Sequence, residues 1–143
     1  GDPGMNSFAH YSFGAVYQWM VENLGGIQAD DIAYKKILIR PCLDEKLSWV
    51  KTSYDSIRGR IETSWKKNKD SFTMDVTIPA NTIATVYVPA ASMESITESG
   101  KPLNKAAGVN PLNMHKEITG QQVQDYAVLR LESGQYQFKT TLK

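Results

Sequence analysis

The side chains that could do chemistry are spread thinly along this sequence. Asp44, Glu45, Glu62, Asp75, Glu94 and Glu98 supply carboxylates. Two carboxylates held across a cleft can protonate a leaving group and activate water, the division of labour that breaks acetal links between sugars. None of these six is singled out by its context. Glu62 and Asp75 fall at the polar positions of alternating segments, where solvation is the default, and Asp44-Glu45 reads as a turn. The histidines, His10 and His115, show no ligand spacing, and the only cysteine, Cys42, has no partner for a disulfide or a structural metal site. No metal site and no cofactor is expected. There is no GxSxG elbow, no glycine-rich phosphate loop and no HExxH, so no catalytic residue is assigned.

Aromatic side chains offer a second kind of chemistry, because exposed rings stack on sugars. Trp49, Tyr54 and Trp65 are the candidates. Trp65 shares a strand face with Ile61, and Trp49 shares one with Leu47, so both are expected in the core. Charge excludes other classes. Sixteen basic residues stand against fifteen acidic ones, a net +1 without the clustered excess that nucleic acid or an anionic membrane demands. The densest basic run, Lys66, Lys67 and Lys69 around Asn68, falls at an expected hairpin turn and reads as a solvated loop. No apolar stretch is long enough to cross a membrane as a helix.

The elements that must position these residues fall into two regimes. Tyr11 to Leu24 reads as a helix, with Asn6 or Ser7 as its cap and Gly25 as its left-handed stop. Its apolar residues, Phe13, Val16, Trp19, Met20 and Leu24 among them, cover most of the cylinder, and only Gln18 and Glu22 share a clearly polar face. Such a helix expects neighbours on several sides, more than one sheet face can supply. After Gly26 the period changes to two. Tyr34–Arg40, Leu47–Tyr54, Gly59–Lys66, Phe72–Ile78, Ile83–Val88, Tyr126–Leu131 and Gln135–Thr140 read as strands. Ser133-Gly134 and the run from Lys66 to Ser71 read as hairpin turns. The stretch Ala90–Gln124 reads as loop-rich, with strands near Met93–Thr97 and His115–Thr119. The fold class is therefore mainly β: an antiparallel β-sandwich with one N-terminal α-helix. With 143 residues, one sandwich and one foreign helix fill the length.

Met5 to Trp19 (MNSFAHYSFGAVYQW) resembles the final barrel helix of bacterial α-L-rhamnosidases of glycoside hydrolase family 78. The resemblance continues through Tyr34–Pro41 (YKKILIRP), Leu47–Tyr54 (LSWVKTSY), Gly59–Trp65 (GRIETSW), Phe72–Thr82 (FTMDVTIPANT) and Ala84–Pro89 (ATVYVP). It runs more loosely through Thr97–Leu103 (TESGKPL) to the final strands. It implies that residues 1–26 are the terminal helix of an (α/α)6 catalytic barrel and 27–143 a C-terminal β-sandwich domain. It also implies a parent that hydrolyses terminal α-L-rhamnosyl linkages with inversion, through acidic residues upstream of this chain. One substrate-binding residue carries over: His10, which matches the histidine of the family's Asn-Ser-Phe-x-His-Tyr segment and would face the rhamnose pocket. Where many relatives have Asn just before it, this chain has Ala9.

Three functions follow as expectations. The first is the C-terminal portion of an α-L-rhamnosidase, itself non-catalytic and structural, whose partners are the rest of the parent barrel and, through it, a rhamnosylated glycan. The second is a carbohydrate-binding module, which requires exposed aromatics. The third is an interaction domain docking through the helix. Neither nucleic acid nor membrane is expected as a partner, whereas self-association through the apolar helix is. The compartment stays open, a periplasmic or extracellular parent being compatible.

Overall fold

A computed structural model of the protein describes residues 26–29, 36–41 and 43–143. The helix expected over Tyr11–Leu24, His10 and the expected barrel segment 1–26 (all but Gly26) lie outside the described residues. Within them the chain forms two packed sheets. One has the order β1 (Ile27–Ala29), β2 (Lys36–Ile39), β6 (Ile83–Pro89), β10 (Gln122–Leu131) and β9 (Val109–Thr119). The other runs β3 (Trp49–Ser56), β4 (Gly59–Lys67), β5 (Ser71–Ile78), β11 (Gly134–Thr141), β7 (Thr97–Glu98) and β8 (Lys101–Pro102).

Alternation explains why these segments pair as they do. On β5, Phe72, Met74, Val76 and Ile78 are buried, while Thr73 and Asp75 face out. On β11, Tyr136, Phe138 and Thr140 point in, and Gln135, Gln137 and Lys139 point out. The other layer answers with Ile37, Ile39, Ala84, Val86, Val88, Ala127, Leu129 and Leu131. The Trp65 and Phe72 rings stack at 5.6 Å and those of Tyr136 and Phe138 at 6.0 Å. Each fully buried side chain of this size contributes about 2–3 kcal/mol by removal of apolar area from water. Trp65 Nε1 is enclosed without a hydrogen-bond partner among the described residues, and this indole belongs to the core for its area and shape.

Four expectations are corrected. First, the sandwich is not wholly antiparallel: β2 and β6 pair in parallel, Ile37 beside Ala84 and Ile39 beside Val86. Between them the chain visits the other sheet as β3, β4 and β5, and this crossover returns it in the same direction. Second, Ser133-Gly134 closes no hairpin. Both edges of β10 are already occupied, by β6 and β9, so the chain crosses to the opposite layer and pairs β11 with β5 and β7. Third, the stretch Ala90–Gln124 is richer in strand than expected. Met93–Ser95 is a 3-10 turn before the short β7, and β9 runs for eleven residues. It pairs with β10 through a bulge at Leu112 and the two-residue turn Gly120-Gln121, in which Gly120 has φ +62°. Pro111 and the mixed polarity of β9 suit an edge strand. Fourth, Trp49 is not in the core. It stands 63% exposed on the outer face of β3.

Two tight spots fix the chain at strand ends, one within the five-stranded sheet and one between the layers. Gly26 has φ +74°, and its carbonyl accepts a hydrogen bond from Arg40 N at 2.7 Å. A Cβ there would sit 1.8 Å from the Arg40 carbonyl oxygen. At the β10–β11 crossing, Tyr136 Oη donates to the Glu132 carbonyl at 2.8 Å and approaches the Gly108 carbonyl at 3.4 Å. Glu132 N donates to that same Gly108 carbonyl at 3.0 Å. Burial, then the charges of Glu132 and Glu98, raises the Tyr136 phenol above the ordinary tyrosine range.

Gly26→Ala is expected to destabilise the domain by at least about 2 kcal/mol, the sum of a left-handed backbone and a backbone clash, measured as a lower urea midpoint at unchanged slope. Because folding raises the Tyr136 pKa, its contribution is complete below the unfolded value of about 10 and is lost as pH rises through the folded one. Alkaline urea titrations should therefore show stability falling above that value. Tyr136→Phe should remove this part of the fall while costing about 1 kcal/mol at neutral pH for the lost hydrogen bond; an identical pH profile in the variant would refute the assignment.

Candidate functional site

The densest grouping of charged and aromatic side chains lies on the outer face of the five-stranded sheet. Ile39 pairs with Val86, which places Arg40 alongside Tyr87, and Tyr126 on β10 is opposite His115 on β9. The Arg40 guanidinium lies 5.0 Å over the Tyr87 ring and 5.7 Å over that of Tyr126. Tyr87 meets the edges of both His115, at 5.6 Å, and Tyr126, at 6.0 Å. Beyond the rings, Arg40 Nη2 pairs with Glu117 Oε2, which also lies 3.2 Å from His115 Nε2.

Strand spacing explains the residue types. From β2 to β9 is three spacings, about 14 Å, so only a long cation meeting a carboxylate partway can bridge them. Aromatic faces are the surface on which a guanidinium rests most favourably over that distance. The result ties the first described strands to the last hairpin. Sequence reading missed this cluster because its members lie on three different strands and just past the end of β2, and share no local spacing.

Beside it, a groove of about 320 Å³ is lined by Leu43, Glu45, Glu117, Gln122 and Tyr126 among others. It holds two carboxylates, the number that acetal hydrolysis uses. Both are already engaged as acceptors: Glu117 by Arg40 and His115, and Glu45 by the Gln122 amide. The remaining sequence candidates are scattered. Asp44 caps its own turn, accepting from Lys46 N at 2.8 Å. Glu62 pairs with Arg60 at 2.8 Å. Asp75 stands on the outer face of β5, and Glu94 is exposed. Glu98 accepts from Ser99 Oγ and, at 3.0 Å, from Gln137 N. Among the described residues no three His, Cys, Asp or Glu side chains gather as a metal site. His10, the expected substrate contact, lies outside the described residues.

The β9–β10 hairpin also carries apolar side chains into solvent. Ile118 and Val123 are cross-strand partners and are 67% and 56% exposed; Met114 and Leu112 are exposed further along β9, beyond the Lys116–Asp125 pair. A strip of this kind, on the strand pair held by the Arg40 cluster, has the character of a docking surface.

Comparison with known proteins gives this geometry a context. A family model described as the bacterial alpha-L-rhamnosidase C-terminal domain matches residues 26–102. The alpha-L-rhamnosidase of Streptomyces avermitilis is 34% identical over 88 residues, covering 62% of this chain and 8% of that protein. That of Alteromonas sp. (strain LOR) is 32% identical over 109 residues, 74% of this chain and 12% of that protein. The structure of alpha-L-rhamnosidase from Dictyoglumus thermophilum superposes with a TM-score of 0.68 at 25% identity, covering 90% of this chain and 14% of that one. The Streptomyces avermitilis enzyme, solved with L-rhamnose, superposes with a TM-score of 0.66 at 23% identity, covering 91% of this chain and 11% of that one, and shows the shared fold. The chain thus spans about a tenth of the length of the curated relatives it matches. With more than half of its residues inside the family match, the chain belongs to the bacterial alpha-L-rhamnosidase C-terminal domain family.

Proposed function

We propose that this chain is the C-terminal β-domain of an α-L-rhamnosidase that hydrolyses terminal α-L-rhamnosyl linkages with inversion, and that the sandwich itself is structural rather than catalytic. Membership of the C-terminal domain family is the observation that carries this reading. The engagement of Glu45, Glu62, Glu98 and Glu117 by protein donors supports it, because a hydrolytic pair needs one carboxyl free to protonate a leaving group and another free to activate water. In this reading residues 1–26 are the last helix of the catalytic barrel. His10 sits at its start and hydrogen-bonds a hydroxyl of the bound rhamnose. The exposed apolar strip of the β9–β10 hairpin packs against the parent, and the Arg40–Glu117 bridge keeps that hairpin at a fixed angle.

The test is hydrolysis of p-nitrophenyl α-L-rhamnoside by this chain and by a protein extended upstream through the barrel. Only the extended protein should turn over, releasing the β-anomer first by proton NMR. His10→Ala in it should lower kcat/KM by roughly ten- to a hundredfold, the loss of one sugar hydrogen bond. Turnover by the 143-residue chain, or the α-anomer as first product, would overturn the reading. For the docking strip, Ile118→Asp with Val123→Asp should lower the melting temperature of the extended protein while leaving that of this chain nearly unchanged. Equal shifts in both would remove the strip from the interface.

A further inference from the structure

We propose that the open edge of β3 is an interface with a second copy of this chain, the two β3 strands pairing antiparallel about a two-fold axis at Ser53 and joining their six-stranded sheets. Among the described residues the two sheets end in four strands, β1, β9, β3 and β8. β1 and β8 have only three and two residues, and β9 carries Pro111 and a bulge. β3 is eight residues long, contains no proline and pairs with β4 without a shift of register. Only its two charges, Lys51 and Asp55, stand against the addition of a further strand.

The backbone of β3 is set for such a partner. Lys67 N donates to the Ser48 carbonyl at 2.8 Å, which makes Ser48 and Lys67 a hydrogen-bonded pair. Bonded and non-bonded pairs alternate along an antiparallel ladder. Val50, Thr52, Tyr54 and Ser56 therefore bond to β4, while Trp49, Lys51, Ser53 and Asp55 turn their N–H and C=O groups to the open side.

Side chains select a second copy and its register. With Ser53 opposite its own counterpart, Lys51 of each copy faces Asp55 of the other, and the two-fold axis makes this match twice. Centring the pair on Lys51 or on Asp55 would instead oppose like charges, and centring it on Thr52 or Tyr54 would leave Lys51 and Asp55 without each other. Neither residue has an ion-pair partner among the described residues. Asp55 is across from Arg60 on β4, but that guanidinium is taken by Glu62, at 2.8 Å, and by Ser53 Oγ, at 3.2 Å. The same register brings Trp49 of each copy to Ile57 of the other. These apolar side chains stand 63% and 80% exposed at opposite ends of the strand, and an aromatic–β-branched pair is among the favourable cross-strand contacts. A lysine on an edge repels most strands; here it selects one.

The proposal stands apart from the rhamnosidase reading, since it concerns a sheet edge and no substrate. It is tested by sedimentation velocity of the 143-residue chain between about 5 and 500 μM, the range in which a small interface of one strand pair associates. A monomer–dimer equilibrium is expected there. Lys51→Glu and Asp55→Lys should each weaken it at least about tenfold, because each opposes like charges twice. Both side chains are exposed, so the melting temperature of the dilute monomer should not change. An equimolar mixture of the two variants should restore the dimer, because in the mixed pair every charge again faces its opposite. Ser53→Cys with Cys42→Ser should form a disulfide-linked dimer under mild oxidation, whereas Lys51→Cys in the same background should not, its counterpart lying well out of register. A monomer throughout the range, a mixture that fails to recover, or cross-linking through the Lys51 variant instead of the Ser53 one would each overturn the proposal. So would association indifferent to both charge changes, which would run through another surface, the apolar residues 11–24 included.

Discussion

Alternate side chains of β4, β5 and β11 close against those of β2, β6 and β10, and every other feature of the domain is arranged around keeping that slab of apolar residues dry. Ile61, Trp65, Phe72, Met74, Val76 and Phe138 from one layer meet Ile37, Ile39, Val86, Val88, Leu129 and Leu131 from the other. Because each strand spends one face on this contact, its other face is free to vary, and the two outer faces have diverged. The layers also have to be joined by chain that crosses the edge of the slab without leaving unpaired backbone inside. Tyr136 solves this at one crossing through its bonds to the Glu132 and Gly108 carbonyls. Thr140 solves it at another by donating to the Pro89 carbonyl at 2.6 Å.

The outer faces differ in how their charges are handled. On the five-stranded sheet, Arg40 and Glu117 neutralise each other over a bed of tyrosines, with His115 against the same carboxylate. That arrangement costs side-chain entropy and returns rigidity, tying the edge hairpin to the parallel strand three places away. On the six-stranded sheet the ion pair is local, Arg60 with Glu62 two residues along the same strand.

Much of the strand pattern could be read directly. The period of two placed β4, β5, β6 and β11 within a residue or two of their observed limits, and it put Trp65 in the core, because alternation is a local property of a strand with one buried face. The same logic failed for Trp49. Leu47, its neighbour on the same face, precedes the first residue of β3, so the pairing of the two said nothing about where that face points. It failed for β9 as well, since an edge strand with a bulge needs no alternation to be stable. The Arg40 cluster and the groove between Lys66, Asp75 and Lys139 were invisible for a further reason. Each is assembled from residues on three or more strands that are far apart in the chain.

Sequence alone determined the class of the domain, most of its strands and the family to which it belongs, because these depend on short-range periodicity and on ordered blocks of residues. Only the tertiary structure decided that β2 and β6 run parallel, that the chain changes layers at Ser133-Gly134, and which side chains share an outer face. Those outcomes turn on which strand edges are already occupied when a new strand arrives. Occupancy of an edge is a property of the whole sheet, and no local pattern encodes it.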